Sequence, residues 1–157
     1  MTQDIRQRLD NHPAPNRKFE TALNQGKVTA TDLTVERVGV STRQIDYRFN
    51  EAKSHEGASD VAENLVRRVD YLLEPLAIIE RDPAESQIQI RSQKPTQDGD
   101  SRRYYEMNVD SKGISIQRYK TTGTGRESEE IHLTRESFER VCRDLDDAAA
   151  PKGKPRS

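Results

Sequence analysis

Histidine, cysteine and paired carboxylates are the groups most able to carry catalysis or hold a metal, and in this chain they are scattered. His12, His55 and His132 have no Cys or second His at the spacing tetrahedral zinc sites use. Cys142 could act as a nucleophile with His132 as its base. It falls, however, on a helical stripe with Phe138, Val141 and Leu145, where a free cysteine reads as a buried structural thiol. Gly123-Thr124-Gly125 begins like a phosphate-binding loop but lacks the Gly-Lys-Ser/Thr ending and a following helix, so it reads as a hairpin loop. No pair of carboxylates stands out by spacing from an ordinary solvated surface. The sequence therefore points away from an enzyme, with no metal and no cofactor expected.

Binding residues are easier to place. Asp110-Ser111-Lys112-Gly113 is a turn signal, and folding about it sets Val109 opposite Ile114, Met107 opposite Ile116 and Tyr105 opposite Arg118. Parity then sets Tyr104 opposite Tyr119, Glu106 opposite Gln117 and Asn108 opposite Ser115 on the other face. Tyrosine offers apolar area and a hydroxyl at small entropic cost, so Tyr104, Tyr119, Glu106 and Gln117 form a candidate protein-binding patch. The plainer alternative is a cross-strand aromatic pair that only stabilises its hairpin. Arg118 and Lys120, at the sheet end, are a candidate anion site. If Ile131 lies opposite Arg118, Glu129 faces Lys120 and an ordinary ion pair suffices.

The second binding candidate is Leu33 to Asn50. Gly39-Val40-Ser41-Thr42-Arg43-Gln44-Ile45-Asp46-Tyr47-Arg48-Phe49 resembles the turn and recognition helix of AraC-type transcription regulators. The resemblance implies a helix-turn-helix over 31–50, with Gly39 in the turn, Ser41 as cap, and Arg43, Gln44 and Tyr47 facing duplex DNA. The same residues also alternate: Ile45, Tyr47 and Phe49 with Gln44, Asp46 and Arg48, which is strand periodicity. A hairpin turning at Thr42-Arg43 would extend a sheet. The sequence leaves both open.

Those candidates need elements to hold them. The clearest helix runs from Asp60 to Leu73, with Asp60 and Glu63 at capping-box spacing and Val61, Leu65, Val69 and Leu72 on one side. A last helix starts at Thr134, a good N-cap, and runs to 146. A short helix over 16–25 rests on Phe19 and Leu23, one turn apart, before Gly26. Between the two long helices, the Asp82-Pro83-Ala84-Glu85 turn sets Ile79 opposite Ile88 and Ala77 opposite Ile90, and Ile131 and Leu133 alternate in a final strand. The expected fold is α+β: an antiparallel β-meander of about five strands, with an N-terminal hairpin as an optional extension, covered on one face by two amphipathic helices.

Composition agrees with one modest domain. The 157 residues are 31% hydrophobic and 34% charged, with no Trp and three Phe, so part of the chain is expected outside the core. Residues 1–15 and 148–157 read as flexible tails around a domain at 16–147. Lys plus Arg (26) nearly balance Asp plus Glu (27), leaving a formal charge of −1 and no global pull toward nucleic acid or anionic membrane. No signal peptide is recognisable, no apolar run spans a bilayer, and one cysteine suits a reducing compartment, so a cytoplasmic location is expected. By subtraction, the function expected is a non-enzymatic adaptor or regulatory domain that binds another protein. DNA-binding regulation is the alternative, and the oligomeric state is not legible.

Overall fold

Apolar and polar residues alternate along most of the chain, and that period decides its structure. The computed structural model describes residues 5–12, 17–84 and 86–151. Helix α1 (Ile5–Asp10) leads into β1 (Arg17–Ala22), β2 (Gly26–Val35), β3 (Gly39–Thr42) and β4 (Gln44–Phe49). Helix α2 (His55–Arg68) is followed by β5 (Leu76–Asp82), β6 (Gln87–Ser92), β7 (Thr96–Asp98) and β8 (Ser101–Val109). Then come β9 (Gly113–Thr122), β10 (Gly125–Glu129), β11 (Ile131–Thr134) and helix α3 (Arg135–Ala149). The eleven strands form one sheet, in the order β11-β3-β2-β4-β9-β8-β6-β5, with β1, β10 and β7 attached to β2, β9 and β8. No helix among the described residues is long and apolar enough to cross a membrane.

This corrects the expected meander of about five strands beneath two helices. The sheet has eleven strands, accompanied by three short helices, and its N-terminal third is strand where a helix over 16–25 was read. Phe19 and Leu23 are one helical turn apart, but Phe19, Thr21 and Leu23 are also alternate residues. All three are buried, while Lys18 and Ala22 are exposed, so period two prevails. Part of the segment read as an N-terminal tail is α1, with Ile5 and Leu9 buried. At the other end α3 continues to Ala149, and Ala148 and Ala149 are buried as well. Residues 152–157 lie outside the described residues.

The strands bend between neighbours. β2 turns at Asp32, whose φ of 51° is a left-handed conformation that Asp tolerates. Before the bend Gly26–Thr31 pair with β4; after it Thr34 and Val35 pair with β3. Opposite the bend, Arg43 N–H donates to Thr31 O at 3.0 Å. β3 and β4 are thus two halves of one bent strand running along β2, and no hairpin turns at Thr42-Arg43. The reversal lies at Glu36–Gly39, where Glu36 N–H donates to Gly39 O at 2.8 Å. β10 and β11 split in the same way: β10 pairs with β9, whereas β11 pairs with β3. Glu129 therefore faces Arg118 and Ile131 faces Thr42, not the Ile131–Arg118 register read from alternation.

Helices α2 and α3 cover one face. Ser54, not Asp60, caps α2, its Oγ accepting from Gly57 N–H at 3.0 Å, and the helix ends with Val69 as C-cap. Thr134 caps α3 as expected, accepting from Ser137 N–H at 3.0 Å. Beneath them Ile88, Ile90, Met107, Val109, Ile114 and Ile116 are all buried. Leu72 and Leu133 are only partly buried, and Ile79 is 47% exposed. The cause at Ile79 is a bulge: Ala77 pairs with Arg91 and Ile78 with Ile90, then the register slips so that Arg81 faces Ile88. β5 is an edge strand, where such a bulge is tolerated.

Candidate functional site

The face opposite the helices is built by the β8–β9 hairpin, whose register is the one read from sequence. Tyr104 pairs with Tyr119, Glu106 with Gln117 and Asn108 with Ser115. The tyrosine rings lie 5.9 Å apart and tilted by 36°. All four predicted residues are together on this face. Two arginines that sequence reasoning did not assign to the site complete it. Arg126 of β10 places its guanidinium 3.8 Å from the Tyr119 ring, donating to the Tyr104 hydroxyl at 3.1 Å and to Glu106 Oε1 at 2.8 Å. Arg91 of β6, paired with Glu106, donates to the same Oε1 at 3.3 Å and lies 5.2 Å over the Tyr104 ring. The arginines roof the rings, which is why Tyr104 is 7% and Glu106 3% exposed on a face that no helix of the described residues covers.

A second chain of hydrogen bonds leads away across the sheet. The Tyr119 hydroxyl donates to Gln117 Oε1 at 2.6 Å, Gln117 Nε2 to Gln44 Oε1 at 2.9 Å, and Gln44 Nε2 to Asp46 Oδ1 at 2.8 Å. Burial pushes the Glu106 carboxyl up, but hydrogen bonding and charge from Arg126, a bond from Asn108 and the charge of Arg91 outweigh it and hold it below the usual range. Bonds to Glu106 and Tyr104 in turn push Arg126 up, and burial raises the Tyr119 hydroxyl against the pull of Arg126. Each of these groups is fixed in its neutral-pH charge state.

Known proteins offer no match. Comparison with protein-family models, with curated proteins and with solved structures finds none for this chain.

The remaining candidates are dispersed. Arg118 is not an anion site at the sheet end: it faces the helices, where NH1 and NH2 each meet a Glu74 carboxylate oxygen at 3.1 Å, and its guanidinium lies 4.4 Å from the Tyr105 ring. Ser92 and Thr96 also donate to Glu74, filling the carboxylate's remaining positions. Residues 39–49 are strands, so the helix-turn-helix geometry implied by the AraC-type resemblance is absent over 31–50. Of its DNA-facing residues, Arg43 is exposed at the bend and Gln44 lies on the open face. Tyr47 is buried on the helix side, donating to Asp146 Oδ1 at 2.7 Å. Cys142 is fully buried, and burial pushes its thiol up, while His132 is exposed on β11. Among the described residues no group of three or more His, Cys, Asp and Glu side chains is placed to hold a metal ion.

Arg91 was legible as an open-face residue from the alternation Gln87, Gln89, Arg91. Arg126 was hidden by the register of β10. A hairpin about Gly123-Thr124, pairing Thr122 with Gly125, is the signal that would have found it.

Proposed function

We propose that this chain is a non-enzymatic adaptor or regulatory domain that docks another protein on the open face of its sheet. The observation that carries the reading is the Tyr104–Tyr119 pair, interleaved with Arg91 and Arg126 on the face opposite α2 and α3. Tyrosine and arginine are the residues most enriched where binding energy concentrates, because each joins apolar area to hydrogen-bonding capacity at modest entropic cost. The glutamines and Asn108 around them supply the polar rim such a patch needs. Cross-linking in cells, followed by recovery of the intact chain, tests this. Tyr119→Ala, at a half-buried position, is expected to lower recovery of a specific partner severalfold, and undiminished recovery would remove the open face as the docking surface.

A further inference from the structure

The open face is charge-biased where the tyrosines sit. Three adjacent cross-strand rows contain the site: Gln97, Arg102, Thr121 and Arg126; then Tyr104, Tyr119 and Ser128; then Arg91, Glu106 and Gln117. They hold three arginines and one carboxylate. Of the neighbouring acids, Asp98 and Glu129 project to the other face and hold Arg103 at 2.7 and 2.8 Å, while Asp46 and Glu80 share the open face one row further along, beside Ser115 and Gln89, outside the three rows that hold the tyrosines. Glu106 is the only carboxylate that Arg91 or Arg126 contacts among the described residues. The exposed Arg102 side chain contacts no carboxylate among the described residues.

The guanidiniums also keep unused donors. A guanidinium carries five N–H groups in a planar fork. Arg91 uses NH2 in the Glu106 bond, and since its Nε is buried, the donors left to an incoming group are those of its terminal nitrogens. Arg126 uses one nitrogen for both of its bonds. Glu106 thus fixes the two forks in place without satisfying them, and aromatic rings support them from below. A fork held rigid and only partly bonded is pre-organised for a second carboxylate, because little side-chain entropy remains to be lost.

Resting on the docking reading above, we infer that Arg91, Arg102 and Arg126 receive the carboxylates of an acidic, extended segment of the partner protein. Glu106 is a positioning residue in this arrangement, and the tyrosines provide the apolar floor.

A titration of the full chain with a synthetic peptide of alternating Glu and Gly, followed by amide NMR, tests the chemistry. A Gln-for-Glu version, a phosphotyrosine peptide and a single-stranded oligonucleotide serve as the other arms. The Glu peptide is expected to shift the amides of Tyr104, Tyr119 and Arg126, with affinity falling as salt rises. Arg126→Gln or Arg91→Gln should weaken it about tenfold, the loss typical of one interfacial charge-assisted pair. Arg102→Ser, at an exposed position, should weaken it severalfold without disturbing the fold. Equal shifts from the Gln peptide, unchanged affinity in all three variants, or preferential binding of the phosphopeptide or oligonucleotide would overturn the inference. If the Glu peptide fails while Tyr119→Ala still lowers partner recovery, the face docks a protein of other chemistry. If both fail, the docking reading falls as well.

Discussion

Two buried carboxylates show how single residues are held in this protein. Glu74 and Glu106 are each 3% exposed and each lies against arginine, Glu74 on the helix side and Glu106 on the open face. Burial raises both carboxyls, but their arginine and hydroxyl or amide donors outweigh it and leave both below the ordinary value of 4.5. A carboxyl depressed on folding adds stability above its unfolded value, and that contribution is lost as pH falls through the folded one. Urea midpoints should therefore drop on acidification below about pH 4.5, and less steeply in Glu74→Gln than in the wild type. A parallel drop in both would show that Glu74 is not coupled to folding. Arg118→Met removes the partner while Glu74 stays buried, and a loss of about 3–5 kcal/mol is expected, read by denaturant unfolding. Cys142 gives a simpler check: a thiol reagent should leave it unmodified in the native protein and react once the chain is unfolded.

At the scale of elements, the junctions carry the specificity. Asp146 near the end of α3 accepts Tyr47 Oη from β4 at 2.7 Å, and from the β1–β2 turn Gln25 N–H at 2.7 Å and Asn24 N–H at 3.2 Å. One buried side chain thereby ties a helix to three strands. Asp146→Ala strands the buried Tyr47 hydroxyl, at a cost of about 1–3 kcal/mol; lowered amide protection at Asn24 and Gln25 should accompany the lower melting temperature. Close strand approach sets a second junction. A Cβ on Gly113 would fall 2.1 Å from Tyr47 O, so Gly113→Ala must part β4 from β9. About 1–3 kcal/mol of destabilisation is expected from such overpacking, against no change at the exposed Gly123, where a Cβ meets nothing within 4 Å.

For the whole molecule, the sheet is closed by segments distant in sequence. β4 pairs with β9 through Ile45 and Ile116, and β11 returns to β3 through Ile131 and Thr42. Such pairings must close long loops before they gain contacts, so refolding is expected in milliseconds to seconds, roughly, rather than microseconds. Stopped-flow measurement on the intact chain checks this, and a microsecond phase carrying the full amplitude would contradict it. β10, by contrast, reaches β9 through the local hairpin at Gly123-Thr124, which delivers Arg126 to the two tyrosines.

The sequence by itself determined what local spacing can express: the β8–β9 register through a recognisable turn, the Thr134 cap, the apolar faces of α2 and α3, and four residues of the open-face site. Each depends on neighbours within about a dozen residues, where period and turn chemistry suffice. Only tertiary structure decided the rest. Alternation at 39–49 and 125–134 does not say that one run bends and changes partners part-way, because both halves keep period two while the sheet turns beneath them. The bulge at Ile79 likewise leaves no mark in composition. Arg118 reads the same on paper whether it attracts a ligand or is held by Glu74, forty-four residues away. Charge pairing at that separation is decided by where the folded strands lie, and so is the meeting of Arg91 and Arg126 over one carboxylate.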